Sequence, residues 1–237
     1  MSMTETNKTA NDLKNVVKDV DKEVFDNSKG RVPIWPAFIA FATIGVLFSL
    51  LSEKLTIGPT WVMLVILAAL LVVAIIGWLG YRHRFSRSLG RLMTGLVTLV
   101  LAVGVFLLVA SLPGHTIAGA ALLRDAAILW ISNVIIFGLW YWELDGGGPA
   151  SRHIHGYTAT DFLFPQIVIG EPFSRDWSPS FIDYLYLAFN TNTAFSPTDT
   201  MVLSGRAKVL MMVQSLLALV TIAVIAARAI NIIPNGG

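Results

Sequence analysis

The chain has no cysteine and only four histidines in 237 residues. Disulfides, thiolate metal centres and cysteine nucleophiles are therefore excluded, while the redox compartment stays open. Charge is scarce as well: Asp, Glu, Lys and Arg make up 14% of the residues against 55% hydrophobic ones, and mean hydropathy is +0.68. That balance argues against a solvated globular domain and puts the chain among membrane proteins. Catalytic patterns are missing too, since neither G-x-S-x-G nor H-E-x-x-H occurs. Gly146-Gly147-Gly148 lacks the Lys and Ser/Thr that complete a phosphate-cradling loop. The expectation is a protein that is not an enzyme and uses no cofactor. No internal repeat is visible, which disfavours an inverted-repeat transporter.

What the chain does have is long apolar runs. Four spans, about Trp35 to Leu51, Thr60 to Leu79, Leu92 to Leu112, and Ala120 or Ala126 to Trp142, approach the ~20 residues needed to cross a bilayer. Trp35, Trp61, Trp78, Tyr81, Trp140, Tyr141 and Trp142 sit toward their ends, as headgroup-level anchors do. A fifth helix is expected from Ser204 to Ile230. Before them lies a polar tail, residues 1–34, in which Leu13, Val16, Val17, Val20 and Val24 recur at helical spacing. It reads as a short, partly disordered cytosolic helix without a signal-peptide core. The organisation is then a tail at 1–34, four helices at 35–142, a connection at 143–178, and a terminal unit at 179–237.

Basic residues set the orientation. With the N-terminus in the cytosol, twelve of the Lys and Arg near the span ends fall inside and three (Lys54, Arg124, Arg228) fall outside. The basic cluster at Arg82, Arg84, Arg87 and Arg91 follows from this bias, so nucleic acid is not an expected partner. In the connection, His153 and His155 raise the thought of a divalent metal, but two histidines two residues apart in a loop are a weak signal and no metal is expected.

The terminal unit has the most distinctive pattern. Ser178 as N-cap with Pro179 following announces a helix, expected to run from Pro179 to Asn190. Twelve residues reach roughly 18 Å at ~1.5 Å per residue, short of a ~30 Å hydrocarbon core. From Asn190 to Thr200, eight of eleven side chains are then polar. Non-helical backbone at membrane depth survives only in protein or beside water, because lipid offers no hydrogen-bond partner. The order of short helix, polar elbow and long apolar helix predicts a re-entrant segment.

This stretch resembles the pore helix, filter and inner helix of potassium channels. Asp183, Leu185, Tyr186 and Ala188 fall on the start of that pattern, Thr191 and Thr193 on two filter threonines, and Asp199 on the terminal acid. Asn192 lies between the two threonines. Ala194 stands for the last threonine, Phe195 for the valine, Ser196 and Thr198 for the glycines, and Pro197 for the tyrosine. Ser and Thr adopt the filter's backbone angles poorly, and proline removes an N–H, so potassium selectivity does not carry over. The apolar runs and the elbow together predict an all-α integral membrane protein with about five transmembrane helices and one re-entrant half-helix; the resemblance implies one that is oligomeric, tetrameric by analogy, and passes a monovalent cation. A potassium channel's pore loop dips in from the outside, whereas the charge bias with five spans makes this one dip in from the cytosol, as in the glutamate-receptor class. WYWELDGGGP, DFLFPQ and NTAFSPTD are also similar to a family of bacterial multi-pass membrane proteins, which implies an inner-membrane location and no particular activity.

On the last helix Gln214, Ala218, Thr221 and Ile225 share one face with Arg228, expected as either an inner-vestibule lining or a packing face. The alternative to conduction is a membrane protein whose re-entrant hairpin serves packing or partner binding.

Overall fold

The computed structural model describes residues 35–55, 68, 72, 83–112, 119–175, 177–193 and 199–232. These form seven α-helices, two short 3₁₀ helices at Glu53–Leu55 and Asp145–Gly147, and one two-stranded ladder. In chain order the α-helices and strands are α1 Trp35–Ser49, α2 His83–Ala110, α3 Gly119–Leu144, α4 Pro149–His155, β1 Phe162–Leu163, α5 Pro165–Ile169, α6 Phe181–Thr193, β2 Met201–Val202 and α7 Gly205–Ile232. The architecture is mostly helical. Among the described residues three stretches are long and apolar enough to cross a membrane, Ser88–Ala110, Gly119–Gly147 and Gly205–Arg228, while α1, expected as a crossing from Trp35 to Leu51, is a shorter apolar helix of 15 residues. The expected span from Thr60 to Leu79 lies outside the described residues apart from 68 and 72, as do the tail at 1–34 and the elbow residues 194–198.

Helix α3 is the centre of the bundle, with α1, α2, α6 and α7 all packed on it. Its two flanks are read from cross-contacts. Thr94 bonds Glu143, Thr98 bonds Trp140, and Gly104 abuts Leu129, so α2 runs antiparallel to α3. On the other side Phe181 stacks on Trp142 and Phe189 on Trp130, so α6 also runs antiparallel to α3. The core along this axis is aliphatic and aromatic: Met93, Leu101, Leu129, Ile136, Phe137, Leu139 and Tyr184 are fully buried.

Gly138 lets α6 come this close. A Cβ placed there would lie 3.3 Å from the Leu185 Cα, a backbone atom that can give only if the whole helix shifts.

Two helix boundaries differ from the expected ones for physical reasons. Helix α2 begins at His83 instead of Leu92, because helical hydrogen bonding continues past the apolar window into its basic flank. Helix α6 begins at Phe181 and ends at Thr193, instead of running from Pro179 to Asn190. It is preceded by Ser180, whose N–H and hydroxyl both donate to Asp183 Oδ2 at 2.7 Å, so the Asp183 carboxylate folds back over the start of the helix and Pro179 stays outside it.

The close approach at Gly138 is testable. Gly138→Val is expected to destabilise the protein by about 1–3 kcal/mol through overpacking. Gly95→Ala, where the nearest atom to the added Cβ is an ordinary 3.9 Å contact with Trp140, should leave the thermal unfolding midpoint in detergent unchanged or slightly raised. Equal midpoints for both variants would show that the α3–α6 contact is not tight.

Candidate functional site

Helix α6 has 13 residues, so it reaches about 20 Å at ~1.5 Å per residue. It enters the bundle where α3 ends and stops beside the middle of α3. The side chains that receive it form a buried amide network. Asn133 Nδ2 donates to Asn192 Oδ1 at 2.7 Å and to the Gln214 carbonyl at 3.2 Å. Asn192 Nδ2 donates to the Trp130 carbonyl at 3.2 Å. Gln214 Nε2 donates to the Ala188 carbonyl at 2.7 Å, and Gln214 Oε1 accepts from the Tyr141 hydroxyl at 2.5 Å. Each amide is oriented by its neighbours, so the network ties α3, α6 and α7 together at one depth.

Two polar atoms in this region have no hydrogen-bond partner among the described residues: Asn133 Oδ1 and Asn190 Nδ2. Asn133, Asn190, Asn192 and Gln214 are all buried. The Thr193 hydroxyl donates to the Asn190 carbonyl at 3.0 Å, which satisfies one of the last four carbonyls of α6.

A second polar cluster closes the opposite end of α6. Asp145, fully buried just past the end of α3, receives the Tyr184 hydroxyl at 2.8 Å and the backbone N–H groups of Asp161 at 3.0 Å and Phe162 at 3.3 Å. The Tyr157 hydroxyl lies 3.1 Å from Asp145 Oδ2 and 2.6 Å from the Phe162 carbonyl, with one proton for the two. Arg152 reaches back from α4 to the carbonyls of Trp142, at 2.9 Å, and Asp145, so a cation caps the C-terminal end of α3. Asp161 receives Ser204 and Arg206, the residues that open α7, and Leu203 N–H bonds the Asp161 carbonyl at 2.9 Å. The ladder pairs Phe162 with Val202 and Leu163 with Met201. The cluster thus gathers the end of α3, the entry of α6 and the start of α7 at one level.

Burial would raise the Asp161 carboxyl, but the hydrogen bonds from Arg206 and Ser204 and the charge of Arg206 outweigh it and hold the group below the usual carboxylate range. Burial first, and the charge of Asp145 second, push the Tyr157 hydroxyl above its ordinary value, so it stays a donor.

Comparison with protein-family models, curated proteins and solved structures finds no match. The chemistry of the site is therefore argued from its geometry alone.

The residues read from the sequence fall into three groups. Thr191, Asn192 and Thr193 form the last turn of α6, not an extended filter strand, because Asn192 is captured by Asn133 and by Trp130. Ala194, Phe195, Ser196, Pro197 and Thr198 lie outside the described residues, and Asp199 is exposed at the β2 end. Gln214, Ala218 and Thr221 are buried against protein within the chain, and Ile225 is half-buried; Thr221 spends its hydroxyl on the Leu217 carbonyl at 2.8 Å. Ala223 and Ala227, a spacing suited to close helix contact, are exposed.

No group of three or more His, Cys, Asp or Glu is placed to hold a metal among the described residues, and His153 is exposed. Arg124 pairs with Asp125 at 3.0 Å and reaches Ser52 at 3.2 Å, while Asp125 itself is fully buried. Sequence reasoning missed Asp145, Arg152, Asp161 and Tyr184 as one cluster. The dense run of Asp145, Arg152, Tyr157 and Asp161 after a helix stop was the available signal, but the partners on α6 and α7 are 39 and 45 positions away.

The depressed Asp161 carboxyl has a pH signature. Its contribution is present above the unfolded-state value near ~4 and is lost as pH falls through the lower folded-state value. Thermal midpoints should therefore drop on acidification below about pH 4. Asp161→Asn should be less stable at neutral pH by about 1–3 kcal/mol and lack that part of the acid loss. A variant whose pH profile parallels the parent would contradict the assignment.

Proposed function

We propose that the chain is a channel-like, oligomeric membrane protein that passes a monovalent cation beside the C-terminal end of α6. One observation supports this reading most. A helix too short to cross enters at Trp142, stops beside Asn133, and is followed by a chain that is back at the level of Asp161 and Phe162 by Met201 and Val202. The stretch of α3 from Asn133 to Asp145 is roughly 18 Å long at ~1.5 Å per residue, about half a membrane. A half-helix ending there turns its partial negative charge and last carbonyls toward the midplane, which favours a cation.

The route we propose follows Thr191, Thr193 and the exposed Asp199 at the mouth, with copies of the chain, four by analogy with channels of the resembled class, closing the axis. It does not follow the Gln214, Ala218 and Thr221 face, which is buried against protein within the chain, whereas Thr191 and Thr193 are half-buried. Asp199 would concentrate cations at the mouth facing the cytosol, by the charge bias of the loops.

A second reading is favoured by the amide network. If the amides of Asn133, Asn192 and Gln214 serve only to hold α6 in place, the re-entrant hairpin is a packing device in a membrane protein that does not conduct.

Purified protein in liposomes separates the two. Conduction predicts monovalent cation flux that Asp199→Asn lowers several-fold at low salt and less at high salt, since an exposed charge is screened. Thr193→Leu should lower flux at both. Absence of flux at every pH and voltage would remove the conduction reading and leave the packing one.

A further inference from the structure

The loop from Pro165 to Arg175 has no part in the cation route, yet it shows the segregation of an inserted surface. Its two ends are clamped. Phe164, buried, stacks on Trp177 with ring centroids 5.5 Å apart, and Tyr157 closes a three-ring bracket at 6.3 Å and 6.0 Å. Phe164 also meets Tyr184 of α6 edge-on at 5.4 Å. Between these pinned ends α5 and the following turn present their largest apolar groups outward: Val168 is 51% exposed, Ile169 64% and Phe173 61%.

Three large apolar groups on one short loop would be unusual against bulk water. The height of the loop says what covers them. Its first residue follows β1, which is held by Asp145 at the end of α3. Its last residues lead to Trp177 and α6, whose first residue stacks on Trp142. Both ends sit where three membrane-length helices begin or stop. At that level outward apolar side chains meet the boundary between headgroups and acyl chains.

We propose that the 165–175 loop is a lipid-inserting wedge: Val168, Ile169 and Phe173 lie in the headgroup and upper acyl region of the leaflet on the Asp145 side. The charges within it, Glu171 between Ile169 and Phe173 and Arg175 at its end, are both exposed, of opposite sign and paired at 4.0 Å, so the recognised feature is the apolar boundary and not an anionic headgroup. The inference rests on membrane insertion of the bundle and is independent of conduction.

The absence of cysteine makes the test clean. Ile169→Cys, Phe173→Cys and Arg175→Cys are each spin-labelled in liposomes of neutral lipid, with and without anionic lipid added. Collision rates are then measured with oxygen, which concentrates in lipid, and with a water-soluble nickel chelate. Labels at 169 and 173 should favour oxygen and that at 175 the chelate, with no change on adding anionic lipid. Chelate access at 169 and 173 equal to that at 175 would put the loop in water and overturn the proposal. Shielding from both reagents, with dipolar broadening between labels, would overturn it in favour of contact with a second copy. These substitutions sit on exposed side chains, so the fold is retained, and an unchanged thermal midpoint for each variant checks it.

Discussion

A helix that stops inside hydrocarbon leaves its last carbonyls with no solvent to bond, and each unsatisfied group there costs several kcal/mol. That constraint governs the terminal unit under the re-entrant reading proposed above. Among the described residues the Thr193 hydroxyl satisfies the Asn190 carbonyl, one of the last four of α6, while the amides of Asn133, Asn192 and Gln214 bond the Asn192 side chain and the Trp130 and Ala188 carbonyls and so pin the end of α6 beside the middle of α3. The network also fixes rotation. An Asn192 held by both Asn133 and the Trp130 carbonyl admits one angular setting of α6, and Gly138 admits one distance.

The cluster around Asp145 and Asp161 solves the complementary problem at the other end. There the start of α6, the end of α3 and the start of α7 come to a single level. Asp145 takes the amides of the β1 segment and the hydroxyl of Tyr184, Arg152 caps α3, and Asp161 takes the opening residues of α7. Arg206 is largely exposed while the Asp161 side chain is buried, so the desolvation cost falls on the carboxylate and is offset by its bonds from Arg206 and Ser204. The two polar clusters therefore divide the work: one sets where α6 starts, the other how far it goes.

Much of this was legible in the residues. The apolar windows gave the long helices, and the shortness of the Phe181 helix followed from the polar run that begins at Asn190. The helix start was legible too, since Ser180 and Asp183 have the spacing at which a carboxylate folds back over a helix start, yet Ser178 with Pro179 was the stronger local signal and competed with it. The three extra helical residues to Thr193 were not legible, because they depend on Asn133, which is 59 positions away. The polar stripe on α7 could be read as a lining or a packing face, and periodicity alone cannot separate them. Within the chain it is the contacts of Gln214 with Ala188 and Tyr141 that fill that face.

In the proposed re-entrant arrangement α6 goes in and the chain comes back out on the side it entered. Sealed vesicles containing Ser178→Cys or Met201→Cys protein, treated with a membrane-impermeant thiol reagent, test it directly. Both positions are exposed, one just before α6 and the other in β2. The account predicts that the two cysteines react from the same face of the membrane; reaction from opposite faces would mean that residues 179–200 cross completely, and the re-entrant architecture would be wrong.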